Sequence, residues 1–156
     1  MSESTRELLE STLRVLSKKE GLLVETEKSL VVIIKSFVKD NIYIFSKIRQ
    51  SVTNSACVCG VLKRVIISTL DDGELNWGRV IAILGLIYHF RYEMTPYQLY
   101  KLADFFVQRC GAFIQKNGGY THCVQKFKST GLPTSYVFVY VILLLFGFMF
   151  IRVINK

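Results

Sequence analysis

The sequence contains little that catalysis requires. It has no phosphate-cradling glycine loop, no paired-carboxylate cleft, and no cysteine with a convincing histidine partner. Its two histidines, His89 and His122, stand alone and read as ordinary helix residues. Cys57 and Cys59 have a spacing that can begin a zinc site, but no matching pair with histidines follows them. No enzyme activity, metal or cofactor is therefore expected. Charged residues run throughout the first twenty positions, so no cleavable N-terminal leader is expected. A reducing, cytosol-facing domain is the matching expectation, with Cys57, Cys59, Cys110 and Cys123 as free thiols. Acidic residues are also scarce, 12 against 20 lysines and arginines, for a formal charge of +8. The excess cations are scattered, with no dense run and no aromatic interleaving, so nucleic acid is not an expected partner. Repeats and low-complexity segments are absent.

The most conspicuous feature present is an apolar run, Tyr136 to Ile151, near the C-terminus. With Val153 and Ile154 it spans about 27 Å as a helix, close to a hydrocarbon core of about 30 Å. No polar face interrupts it. The expectation is a transmembrane tail anchor over residues 136–154. Residues 131–135, with Gly131, Pro133, Thr134 and Ser135, form a breaker-rich hinge before it, and residues 1–130 make one tethered domain. Lys126, Lys128, Arg152 and Lys156 flank the run, a pattern that suits anionic cytoplasmic leaflets.

Within the domain the periodicity is helical. Leu9, Leu13 and Leu16 make an N-terminal stripe that Ser4 or Thr5 can cap and Gly21 can end. Residues 27–49 are less decided, because VVII and IYIF raise β-propensity. Helical spacing with a bend at Asp40-Asn41 is the favoured reading, followed by a turn-like Ser51 to Ser55. Val58 to Leu70 reads as a short helix stopped by Asp71-Asp72-Gly73. Trp77 to Phe90 is apolar almost all round, which suits a buried central helix. Pro96 fits the first turn of a helix reaching Gln115. Asn117-Gly118-Gly119 stops that helix, and Tyr120 to Lys128 forms a last amphipathic one. The sum is an all-α bundle of seven or eight helices around an apolar centre.

Two segments resemble a known family. DDGELNWGRVIAILGLIYHF, residues 71–90, is similar to the first homology motif of the Bcl-2 family of apoptosis regulators, with Asn76-Trp77-Gly78-Arg79 as its most specific part. FIQKNGGYTHCVQKF, residues 113–127, resembles the second motif through Gln115, Asn117, Gly118 and Gly119. Tyr120 stands where that family usually has tryptophan. The two occur in family order ahead of the apolar tail, and the N-terminal helix takes the place of the fourth motif. The third motif (BH-3) is degenerate: among residues 28–50 the only acid is Asp40, Lys39 precedes it, and Lys35 sits at the leucine position. The long connection after the first helix is missing. Compactness and a degenerate BH-3 segment look like virus-encoded survival homologues.

The resemblance implies a groove that receives an amphipathic BH-3 helix through apolar residues at i, i+3 or i+4, and i+7. It implies that Arg79 holds the ligand's aspartate in its planar fork, that Asn76 helps and caps the central helix, and that Gly78 admits the ligand backbone. Val65, Ile66, Leu70, Ile42 and Phe45 are the groove-wall candidates. Trp77, Gly118 and Gly119 are assigned to structure. An arginine waiting at a groove is expected to be a spectator to folding, its loss costing within about 0.5 kcal/mol. The implied partners are BH-3 helices of pro-death proteins, with Bax or Bak, at a mitochondrial outer membrane or endoplasmic reticulum; a homodimer in which a second copy covers the groove stays open. Two alternatives also stand: a pore-forming executioner like Bak or Bax, which needs its own BH-3 segment, and a tail-anchored adaptor with a different partner.

Overall fold

The computed structural model describes residues 1–17, 20–53 and 57–130; the expected hinge and tail anchor lie outside the described residues. Among these residues there are seven α-helices and no strand. They are α1 (Glu3–Leu16), α2 (Glu25–Asp40), α3 (Ile42–Thr53), α4 (Val58–Leu70), α5 (Trp77–Phe90), α6 (Pro96–Lys116) and α7 (Gly119–Thr130), with short 3₁₀ turns at Glu20–Leu22 and Arg91–Glu93. No helix among the described residues is long and apolar enough to cross a membrane.

Burial sets the position of α5. Its residues are buried from Trp77 to Phe90 except Gly78, Arg79 and His89, which are half-buried. Val80, Ile81, Leu84 and Ile87 are sealed completely, and each large apolar side chain so buried contributes about 1.5–3 kcal/mol. That outweighs the ~1 kcal/mol of a good cap, so packing rather than capping places this helix. α2 lies against it at close range. A Cβ on Gly85 would sit 2.8 Å from the Phe37 ring, so glycine there admits the aromatic side chain. α1 packs on α6, and α2 also packs on α7.

The uncertain segment is helical, and Asn41 makes its bend. The Asn41 side-chain amide donates to the Phe37 carbonyl at 2.8 Å, closing α2. Its own carbonyl accepts from the Ile44 and Phe45 amides at 3.0 and 3.2 Å, opening α3. The β-branched run loses to tertiary burial: Leu30, Val31, Ile33, Ile34 and Phe37 form one buried face of α2, at a helical period. α3 extends into the expected turn as far as Thr53. At the N-terminus Ser2, rather than Ser4 or Thr5, is the cap, accepting from the Thr5 amide at 3.2 Å. The buried face of α1 is Leu8, Leu9, Thr12, Val15 and Leu16, rotated slightly from the expected stripe, and α1 stops at Leu16, before Gly21.

Two polar ties join distant parts of the chain. Glu27 on α2 is buried and accepts from Ser11 Oγ at 2.7 Å, Arg14 Nη2 at 2.8 Å and Nε at 3.0 Å, and the Val24 amide at 3.2 Å. Tyr120 on α7 meets Thr12 on α1 at 2.6 Å. Thr12 donates its one proton to the Leu8 carbonyl, so Tyr120 is the donor to Thr12. The hydroxyl at this position thus has a specific partner, and burial pushes its pKa up. Gly118 and Gly119 have φ of 82° and 67°, the left-handed turn that ends α6 and starts α7.

Candidate functional site

The candidate site lies where α4 ends and α5 begins. After Leu70 the chain turns through Gly73, whose φ is 74°. Asp72 stabilises this turn by accepting from the Glu74 amide at 3.1 Å. Asn76 then caps α5, its Oδ1 accepting from the Arg79 amide at 2.9 Å. The cap fixes the first turn of α5 and with it the root of the Arg79 side chain. Gly78 is half-buried beside it.

Arg79 is already engaged. Its Nη1 donates to the Glu74 carbonyl at 2.6 Å and the Thr69 carbonyl at 3.2 Å. Both terminal nitrogens also hold the Asp72 carboxylate, Nη2 at 2.6 Å from Oδ2 and Nη1 on Oδ1. The guanidinium side chain is 14 % exposed, its carboxylate partner 55 %. Hydrogen bonds from Arg79 hold the Asp72 carboxyl down to about 2, and Asp72 in turn raises the arginine. Arg79 Nε is buried and has no partner among the described residues. The arginine therefore ties the end of α4 to the start of α5. It is not the spectator to folding that a waiting groove residue was expected to be, because three parts of the chain use its donors.

The apolar groove candidates are not arranged as an open wall. Val65, Ile66 and Phe45 are in the core, at 3 %, 0 % and 1 % exposure, and Leu70 packs partly buried against it. Only Ile42, half exposed, offers apolar surface. The reason is α3, which lays Phe45, Ile48 and Val52 into the body of the domain. Their i, i+3, i+7 spacing is the one a ligand helix uses in a groove. Phe45 meets the Phe37 ring edge-to-face at 5.9 Å and the His89 ring at 5.1 Å. Arg49 latches α3 to the end of α5 by pairing with Glu93 and donating to His89 Nε2 at 3.0 Å. Burial and the nearby Arg49 and Arg91 cations keep the His89 pKa below its ordinary value, consistent with a neutral ring that accepts from Arg49.

Trp77 is a core residue, 4 % exposed, edge-to-face with Phe113 at 5.2 Å. Cys57 is exposed, and Cys59, Cys110 and Cys123 are buried free thiols. Burial pushes Cys110 and Cys123 up to about 12, which makes them poor nucleophiles. An open depression lies between α2 and α7, with Glu25, Thr26, Ser29, Thr121, Val124 and Gln125 among its lining residues. Sequence reasoning missed Asp72 at the site and, away from it, the buried Glu27 that ties α1 to α2. The signal for Asp72 was an acid seven residues before Arg79 in a turn. For Glu27 it was an acid in the first turn of an apolar helix.

No protein-family model and no curated protein matches the chain.

Proposed function

We propose that this chain is a Bcl-2-like survival factor that sequesters BH-3 helices of pro-death proteins, Bax or Bak among them, at an intracellular membrane. One observation carries the reading: the Asn76-Trp77-Gly78-Arg79 segment opens a buried central helix and aims an arginine fork that takes a carboxylate. A ligand aspartate has the chemistry to replace the one now bound. Charge supports the same ligand class. Between Asp40 and Asp71 the chain has no acidic residue, against Lys47, Arg49, Lys63 and Arg64. Although Arg49 is paired with Glu93, Lys47, Lys63 and Arg64 leave α3 and α4 with a positive field for an acidic amphipathic helix, which raises its rate of encounter.

Binding in this scheme requires α3 to give way, because Phe45, Ile48 and Val52 fill the apolar positions a ligand would use. The apparent affinity is then lowered by the fraction of molecules in the open form. Titration of the full chain in detergent micelles against a panel of BH-3 peptides tests the reading. Saturable binding that weakens when the peptide's apolar anchors become alanine is expected; no binding by any peptide contradicts it.

The membrane half of the reading rests on the apolar run from Tyr136 to Ile151. Deleting residues 132 to 156 should release the protein from mitochondria or endoplasmic reticulum into the soluble fraction. Full retention on membranes after that deletion would place the anchor elsewhere.

A further inference from the structure

The geometry points to Asp72 as a specificity-determining residue: an internal carboxylate that competes for the Arg79 fork and lowers the dependence of this site on a ligand's own aspartate. This rests on the reading of the Arg79 region as a BH-3 site and concerns which ligands that site accepts.

Asp72 is well placed to compete. Its carboxylate is paired with both terminal nitrogens of Arg79, the bidentate arrangement an incoming aspartate would seek. The turn through Gly73 and the bond from the Glu74 amide hold it there at high effective concentration. It is equally well placed to leave. Its side chain is more than half exposed, so release returns the carboxylate to water. Water screens the carboxylate end of the pair, which weakens it.

Arg79 does not depend on Asp72 for its aim. The Thr69 and Glu74 carbonyls also accept from Nη1, sharing its two protons with Asp72 Oδ1, so they keep the fork oriented when the carboxylate changes. Binding an aspartate-bearing helix is therefore an exchange of one carboxylate for another. The ligand gains only the difference between the two pairs. A ligand without the aspartate leaves the internal pair intact and strands no charge. The wild-type site should thus tolerate loss of the ligand's acid better than a site with an unoccupied arginine.

The test is a matrix of dissociation constants for the full chain in detergent micelles. The proteins are wild type, Asp72→Asn and Asp72→Ser, both of which keep a side-chain oxygen for the Glu74 amide. The probes are a BH-3 peptide and its aspartate-to-alanine counterpart. Both variants should bind the aspartate peptide about three- to fivefold more tightly than wild type, with the alanine peptide unchanged. Equal affinity of all three proteins for the aspartate peptide overturns the inference while the site reading stands. Parallel tightening for both peptides also overturns it, because a loosened turn rather than competition would then be responsible. Melting of both variants far below wild type would make Asp72 a structural tie and would overturn it too. If wild type binds neither peptide, the reading of the site fails and takes the inference with it.

Discussion

Trp77→Ala should lower the stability of the domain by about 3–5 kcal/mol, the usual cost of truncating a large aromatic side chain in a core. The tryptophan is the first residue of α5, and its ring lies between α6 and α7, 5.2 Å from Phe113 and 6.3 Å from His122 by ring centroids. Alanine would leave a cavity where three helices meet. Small domains have about 5–15 kcal/mol in total, so the variant would be close to unfolding at body temperature. Chemical denaturation followed by circular dichroism reads the change. An unchanged midpoint would mean that Trp77 is not packed as described.

Arg14→Met should also destabilise the domain, with an inverted dependence on pH. Glu27 is 3 % exposed in its side chain, Arg14 40 %. Removing the arginine leaves a buried carboxylate with Ser11 and the Val24 amide; stranding one member of a fully buried pair costs about 3–5 kcal/mol, and the half-exposed Arg14 places this loss at or below the lower end of that range. Replacing both partners by methionine should recover most of that loss. In the wild type, burial raises the Glu27 pKa, but the hydrogen bonds from Arg14, Ser11 and Val24 together outweigh it, and the folded value lies below the ordinary 4.5. A lowered carboxylate contributes stability above the unfolded value and loses it as pH falls through the folded one. In Arg14→Met burial should dominate and raise the folded value. The contribution is then present in acid and lost as pH rises. The stability gap between the two proteins should therefore narrow from neutral pH towards about pH 4. A gap independent of pH would show that Glu27 is not the group responsible.

The helical architecture was legible because its strongest elements are periodic and well punctuated. Val58–Leu70 and Trp77–Phe90 have the bounds expected from Asp71-Asp72-Gly73 and the continuous apolar stretch. The start of α6 followed from Pro96, with a Thr95–Gln98 capping box beside it. Residues 27–49 were ambiguous because β-branched residues suit either period, and only burial against α5 and α7 decides. At the candidate site the sequence picks out residues but not their contacts. The sequence identifies Arg79 and Asn76; it does not say that a turn seven residues earlier in the chain brings a carboxylate back onto the fork. Nor does it say that Val65, Ile66 and Phe45 face inward, because an apolar groove wall and an apolar core have the same composition.

Arg79 is proposed as a receptor for a ligand carboxylate. The most direct test of this role is a double-mutant cycle pairing Arg79→Ala with alanine at the ligand's aspartate. Arg79→Ala should still fold, about 1–3 kcal/mol less stable because the Asp72, Thr69 and Glu74 bonds are lost. A charge-assisted bond of about 1.5–3 kcal/mol corresponds to roughly a decade in affinity or more. Asp72 offsets part of this in the wild type, so the full decade should appear in the Asp72→Asn background. There, removing either partner should weaken binding about tenfold, and removing the second should add little. Losses that simply multiply would show that the arginine and the ligand acid never meet, and would contradict the account.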